Sequence, residues 1–301
     1  MRLDLPNHLK LKDDEIVVDV RAAGVGNWDE IIRTGGWDVA LRPPMALGVE
    51  ASGVVSAVGS TVRRFAVGDA VLTHSVPLRH QGAWAEQYVA AESAAAKKPP
   101  GMSWEVAAAF PVPGLTAYQT LAQLRVGSGE TVLVHGGAGV TGGLIVAFAA
   151  GLGARVVATA SAANAARLKA AGADLVIDYR TESWYPELRA ALGAGAAVVI
   201  NAVRGAASTL LSLVADNGRF ATITSDPPRS ERGIQVLSFY VAPDGETLAR
   251  AAVEFSRRHL TLHIATAYAL VGAGAALAAV VSGKSGGAVV IEPNRRQPRM
   301  T

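Results

Sequence analysis

The sequence predicts an α/β protein, a doubly wound parallel sheet together with a barrel-like β unit. Three observations carry that prediction. From Glu130 onward, short β-branched runs alternate with apolar helical segments, as successive βαβ units do. The runs Val156-Val157-Ala158 and Val198-Val199-Ile200 are wholly apolar, as strands covered on both faces must be. The first hundred residues instead carry short strand patterns separated by glycines, which predicts an all-β unit.

In chain order, residues 15–23 alternate in the β manner, with Val18 and Val20 opposite Asp19 and Arg21. The piece after Asn27 suits a short helix with Asn27 as its N-cap. Pro43-Pro44 punctuates the chain, and strands are expected within 47–59, 65–71 and 82–89. Near Ser103 the pattern changes. Residues 104–110 read as helix, Pro111-Val112-Pro113-Gly114 as a break, and 115–124 as helix again. Strands are then expected at 131–135, 155–160, 174–178, 197–201 and 219–224, with helices between them such as 163–171 and 206–215. A helical pattern over 245–259 follows, then a strand-like piece after Thr261, a helix over 272–281 and a strand at 288–291. That tail is too short for a domain of its own. It is expected to return to the first, giving a β domain from 1–111 and 251–301 around a parallel-sheet domain at 112–250.

The strand 131–135 runs into His135-Gly136-Gly137-Ala138-Gly139-Val140-Thr141-Gly142, and an apolar segment from Leu144 to Leu152 follows. Gly137, Gly139 and Gly142 match G-x-G-x-x-G in the strand-turn-helix context that gives the pattern meaning. The first glycine is expected to permit the turn, the second to admit a pyrophosphate, and the third to let helix pack on strand. The amides of Val140 and Thr141 then open a helix whose positive end faces the anion.

Composition narrows the field. Half the residues are hydrophobic, 18% are charged, and the net charge is +3. Basic residues are scattered and form no stripe interleaved with aromatics, so nucleic acid is not the expected partner. Arg295, Arg296 and Arg299 read as a solvated tail. The chain has no cysteine, which excludes disulfides, thiolate catalysis and cysteine-based zinc sites, and fits a cytoplasmic protein. Apolar runs around Ala147 and Ala273 are interrupted and too short to span a bilayer, so no membrane partner is expected. The N-terminus lacks the apolar core of a signal peptide. His8, His74, His80, His135, His259 and His263 are dispersed, and His259 and His263 read as surface residues. No G-x-S-x-G elbow surrounds Ser103, Ser161 or Ser225.

The series Gly48-Val49-Glu50-Ala51-Ser52-Gly53-Val54-Val55, Val58-Gly59, Phe65 with Gly68-Asp69-Ala70-Val71, Pro113-Gly114-Leu115-Thr116-Ala117-Tyr118, the glycine turn, Ala171-Gly172-Ala173-Asp174 and Asp178-Tyr179-Arg180 resembles the medium-chain dehydrogenase/reductase superfamily. The nearest branch is its zinc-free quinone oxidoreductases, and the resemblance covers nearly the whole chain, with an N-terminus shorter by roughly a strand. It implies a GroES-like β domain built from both chain ends, a Rossmann domain, nicotinamide and substrate held in the cleft between the two, and a homodimer. Zinc members carry ligands that would fall near Gly26, Val49 and Val112, none of which binds a metal. No metal site is therefore expected. Glu50 reads as a buried carboxylate satisfied by backbone donors.

An NAD site calls for an acid about 20 residues beyond the glycines, whereas the strand 155–160 leads into Ser161-Ala162-Ala163-Asn164. That favours NADPH over NADH, with Ser161 donating to a 2′-phosphate and Arg167 supplying charge. The family commonly holds this phosphate with a tyrosine at the Tyr179 position and a lysine at the Asn164 position. Arg167 as an exposed helical charge and Tyr179 as a core aromatic are the competing readings. By the same resemblance Thr116, Asn201, Thr224 and Phe239-Tyr240-Val241 border the nicotinamide and its ribose.

The expected chemistry is hydride transfer from NADPH to a small-molecule quinone or other conjugated carbonyl, which needs little activation. Asn27 is a candidate oxyanion donor, and Asp29 a candidate to orient it or relay a proton. The alternative makes them a helix N-cap and a first-turn acid. A narrow-substrate enoyl reductase and a non-catalytic NADPH-binding protein remain open.

Overall fold

The structure, a computed structural model, describes residues 11–295. His8, Arg296, Arg299 and the start of the chain judged short against the family lie outside the described residues. The chain forms two units. One holds the residues up to Leu115 and those from Ala242 onward, and the other is Thr116–Val241.

The first unit opens with β1 (Glu15–Val25), α1 (Asn27–Arg33), β2 (Glu50–Val58), β3 (Ala70–His74), β4 (Gln87–Ala91) and β5 (Ala95–Lys97), then α2 (Trp104–Ala109). The boundary between units falls within α3 (Pro111–Gln123). The expected break at 111–114 is therefore the first turn of a helix. Proline is tolerated there because the first N–H groups of a helix have no intrahelical partner to lose. Of the stretch expected as a strand over 82–89, only 87–89 lies in the sheet, at the start of a strand that runs on to Ala91. Before it, the amides of Gly82, Ala83 and Trp84 donate to the carbonyls of Ala46, Gly48 and Leu47 at 2.8–2.9 Å, and the Trp84 indole donates to the Gly24 carbonyl. A loop pair thus replaces the ladder.

The second unit holds β6 (Thr131–His135), α4 (Val140–Gly151), β7 (Arg155–Ala160), α5 (Ala165–Ala170), β8 (Leu175–Asp178), α6 (Trp184–Leu192), β9 (Ala196–Asn201), α7 (Ala207–Leu211), β10 (Val214–Thr222) and β11 (Gln235–Ser238). Its sheet runs β11-β10-β9-β6-β7-β8, all parallel. That is the doubly wound order, which reverses between β6 and β9, where Val134 lies beside Ile200. Leu133, Val157, Val199, Phe220, Leu188 and Leu210 form the core on one face. The strand expected at 219–224 begins earlier and ends at Thr222, because a register break between Val214 and Arg219 carries the left-handed Asn217 (φ 59°) without ending the pairing. The four-residue β11 is too short to show a period in the sequence.

The chain returns to the first unit through α8 (Gly245–Arg257), β12 (Ile264–Ala269), α9 (Ala273–Val281) and β13 (Ala288–Glu292). The strand β13 pairs antiparallel with β1, Ala23 opposite Ile291, and the sheet reads β12-β13-β1-β2-β3-β5 with β4 also on β1. Ile16, Val18, Val20, Tyr88, Val289 and Ile291 fill its core. The Asp244 carboxylate caps α8 by accepting from the amides of Glu246 and Thr247.

Candidate functional site

The carboxyl ends of β6, β7, β9 and β10 carry most of the residues singled out in the second unit, where a parallel sheet presents its ligand side. The turn leaving β6 is made by Gly136, whose φ is +86°, and not by Gly137, which corrects the role expected of the first motif glycine. Thr159 pins this turn. Its hydroxyl accepts from the Gly136 amide at 3.1 Å, and lies 2.8 Å from Nδ1 of His135. His135 packs on Trp184 with ring centroids 5.7 Å apart, and burial pushes its pKa down to about 4, so it is neutral. It serves the turn as a packing residue.

Gly139 is the N-cap of α4, with extended backbone and no side chain to cap the helix, and the first turn holds no acid. The first helical bond runs from the Gly143 amide to the Gly139 carbonyl. The amides of Val140, Thr141 and Gly142 precede it, where a helix has none of its own carbonyls to offer. A Cβ on Gly142 would stand 2.2 Å from the Gly136 carbonyl oxygen, so the third motif glycine is dictated by close packing of helix on turn.

Beside the turn lie Ser161, Asn164 and Arg167. Asn164 Nδ2 donates to Ser161 Oγ at 2.9 Å, and the Arg167 guanidinium donates to the Ala138 carbonyl at 2.7 Å and to Asn164 Oδ1 at 3.1 Å. Arg167 is therefore folded over the glycine loop instead of pointing freely into solvent. Asp178, which the sequence analysis names only within the family series and not as a site residue, accepts from the Ala162 amide at 2.9 Å; the Arg180 amide and this Ala162 amide hold its carboxyl below the usual range. Tyr179 is exposed and stacks under the Arg180 guanidinium, 5.8 Å from its centroid, so the core-aromatic reading is overturned.

A second group gathers at the ends of β9 and β10. Asn201 is fully buried, and Phe239 is buried with its amide on the Thr222 carbonyl. Tyr240 is exposed, and hydrogen bonds with Ser225 and Ser238 hold its hydroxyl below the usual phenol value. Val241 is half-buried, and Thr116 is buried on α3. Asn201 Nδ2 lies 3.4 Å from the hydroxyls of both Thr222 and Thr224. Both hydroxyls donate to Asp226 at 2.6 Å. Asp226 was missed; an acid two and four residues after threonines at a strand end was the available signal.

In the first unit, the N-cap of α1 is Gly26, one residue before the expected Asn27, because a carboxylate further along takes over the capping. Asp29, the third helical residue, accepts from the Gly26 amide at 2.8 Å. Asn27 is exposed, and Asp29 bonds to Gly26 instead of orienting Asn27. Asp29 is wholly buried with Oδ1 unpaired. Burial pushes its pKa up to about 7 against the amides of Gly26 and Gly48. Glu50 is also buried and accepts from the Val112 amide at 2.7 Å; burial raises it well above its usual value, the amide opposes this, and the Asp29 charge adds to it.

Residues 12–100 match the alcohol dehydrogenase GroES-like domain family, and residues 171–291 match the zinc-binding dehydrogenase family. A mycobacterial quinone oxidoreductase superposes with a TM-score of 0.79 at 30% identity, covering 97% of this chain and 94% of that one. The chain belongs to the medium-chain dehydrogenase/reductase superfamily. Within this superfamily it is 39% identical over 171 residues to a quinone oxidoreductase of Pseudomonas aeruginosa, 56% of this chain and 51% of that protein. It is 35% identical over 182 residues to the 2-methylene-furan-3-one reductase of Solanum lycopersicum, 58% of this chain and 47% of that protein. A mycobacterial structure complexed with NADPH has a TM-score of 0.83 at 29% identity, covering 97% of this chain and 94% of that one. The chain spans about half the length of these curated relatives.

The positions where zinc members of the superfamily hold their metal are engaged otherwise. The Gly26 amide is bound by Asp29, and a Cβ there would stand 2.2 Å from the Trp28 indole. The Val49 carbonyl faces His74 Nδ1 at 3.1 Å, and the Val112 amide is bound by Glu50. Among the described residues, no three of His, Cys, Asp and Glu come together as a metal site. This donor set does not fit a zinc ion. Among the described residues no helix is long and apolar enough to cross a membrane.

Proposed function

We propose that the protein is an NADPH-dependent, zinc-independent oxidoreductase that reduces a quinone or another conjugated carbonyl. The observation that carries this reading is the uncapped, acid-free N-terminus of α4 behind the Gly136 turn, with Arg167 folded over it and no acid directly after β7. The amides of α4 and its dipole favour a pyrophosphate. Ser161 and Arg167 offer donors and charge to a 2′-phosphate, and Asn201 with Thr224 offers polar groups to the ribose beyond. When bound, the nicotinamide supplies the hydride. A conjugated acceptor spreads the resulting negative charge onto its own oxygen, so the chain need only bind, orient and exclude water. The superposable mycobacterial structure complexed with NADPH and the relatives named as quinone oxidoreductase and 2-methylene-furan-3-one reductase support the same reading. Homodimer formation and a cytoplasmic setting belong to this proposal.

The test follows NADPH absorbance with purified protein alone, with a 1,4-quinone and with an enal, before and after dialysis against a chelator. Oxidation that needs an acceptor and survives dialysis is the expected result. A preference for the enal points to enoyl reduction, whereas tight NADPH binding with no turnover on any acceptor points to a non-catalytic binding protein. A chelator-sensitive activity restored by zinc overturns the zinc-independent reading.

A further inference from the structure

The network at the ends of β9 and β10 has a single polarity, and its source is a residue with no role in the reading above. Ser225 is left-handed (φ 60°), an unusual conformation for a residue other than glycine. It turns the chain so that Asp226 reaches back over the strand it has just left. One carboxylate oxygen of Asp226 accepts from the hydroxyls of Thr222 and Thr224, both at 2.6 Å. The other accepts from the Gly205 amide at 2.6 Å, in the loop after β9. Burial would raise this acid, but the two hydroxyls and the Gly205 amide hold it below the usual carboxylate range.

An ionised carboxylate only accepts. The threonine hydroxyls, 2.9 Å from each other, therefore spend their protons on Asp226 directly or one through the other, and each keeps lone pairs for Asn201. That fits Asn201 in one orientation. Its Nδ2 donates to both hydroxyls, and its Oδ1 accepts from the Val203 amide at 3.1 Å. Asn201 is buried at the end of β9, beside the strand-order reversal.

We infer that Asp226 is a positioning residue for the nicotinamide half of the dinucleotide, fixing through Thr222 and Thr224 which way the Asn201 amide faces. This rests on the dinucleotide reading proposed above. Asp226→Asn conserves shape but breaks the polarity. Its new NH₂ group either confronts the Gly205 amide, donor against donor, or forces the threonine hydroxyls to reverse and aim their protons at Asn201 Nδ2. Neither arrangement alters the Thr159 bond that pins the glycine turn at β6.

The experiment measures dissociation constants of NADPH and of 2′-phospho-ADP, which lacks both the nicotinamide and its ribose, for wild type, Asp226→Asn, Thr224→Val and Thr224→Ser. In Asp226→Asn and Thr224→Val, NADPH affinity is expected to fall about tenfold, the scale of one charge-assisted hydrogen bond, while 2′-phospho-ADP binds as before. Thr224→Ser, which keeps the hydroxyl, retains wild-type affinity for both. Equal losses for the two ligands in Asp226→Asn overturn the inference, because Asp226 would then support the fold of the whole unit. Unchanged NADPH affinity also overturns it. Wild-type protein that binds neither ligand overturns the dinucleotide reading itself, which is a separate and recognisable failure.

Discussion

Each unit contains a strand that passes through glycine into a helix, and the two junctions are finished in opposite ways. At β1–α1, the chain supplies its own carboxyl acceptor. Asp29 reaches back to the Gly26 amide, and Glu30 adds a second acid to the first turn. At β6–α4, Gly139 has no side chain, no acid follows, and the leading amides are left for something outside the chain. The dipole argument is the same at both places. What differs is whether sequence has already answered it, and a helix start that lacks its own carboxylate is the more informative one for function.

The largest effect expected from this contrast is pH dependence at the closed junction. Burial raises Asp29 from 3.8 to about 7. The folded state therefore binds its proton more tightly than the unfolded state. The stabilisation from that proton is complete below pH 3.8 and is lost as pH rises through 7. About three pKa units correspond to roughly 4 kcal/mol at most, a figure shared with Glu50 because the two buried acids repel. Asp29→Asn removes this dependence. Denaturation of the two proteins between pH 4 and 8 should show the variant gaining on wild type as pH rises. A stability difference that stays constant over that range would mean Asp29 is ionised throughout.

Next in size is Gly142. A Cβ there overlaps the Gly136 carbonyl at 2.2 Å, contact with rigid backbone that cannot give way. Gly142→Ala is expected to cost about 3 kcal/mol, at the upper end for overpacking, and to displace the turn enough to abolish NADPH binding. Thermal melting and calorimetry on the same sample check both. A normally stable variant would show that the close approach of α4 to its turn is not needed.

Much of this is legible in the sequence. The strands 131–135 and 155–160 are found at those bounds because parallel strands buried on both faces leave an uninterrupted apolar run. The glycine turn was legible because its neighbours are local in sequence. Which glycine carries the left-handed turn was not, since Gly136 and Gly137 are adjacent and identical in composition terms. Asn27 looked like a cap because Asn usually is one. Only the fold shows Asp29 doing that work from inside, with Gly26 at the cap. Asp226 was invisible for a different reason: its meaning depends on the Ser225 turn and on Gly205, 21 residues away. Asp178 likewise becomes part of the site only when β8 sets it beside the Ala162 amide.

Gly139 separates the two functions that glycine serves at the open junction. Its φ is ordinary, and a Cβ would come no nearer than 3.6 Å to the Gly136 carbonyl. Gly139→Ala is expected to cost only about 0.5–1 kcal/mol as a poorer N-cap. Yet the new methyl stands where a pyrophosphate would approach the amides, so NADPH affinity should fall by about tenfold or more, roughly 1.4 kcal/mol. Calorimetry beside a melting curve distinguishes this from Gly142→Ala, which should lose both. Wild-type affinity in Gly139→Ala would mean that the anion sits elsewhere.

The smallest effect expected is at Arg167, where one guanidinium serves two claims. Its bonds to the Ala138 carbonyl and Asn164 Oδ1 tie α5 to the glycine loop, and its remaining donors can meet a 2′-phosphate. Arg167→Gln keeps a hydrogen-bonding group and removes the charge. If the charge recognises the 2′-phosphate, NADPH affinity should fall about fivefold, near 1 kcal/mol, while NADH affinity holds. If the side chain serves only to clamp the loop, both nucleotides weaken together. The ratio of the two dissociation constants decides between them, and it does so without reference to any acceptor. Because Ser161 would remain in place in the variant, some preference for NADPH should persist; its complete loss would place the whole phosphate recognition on Arg167.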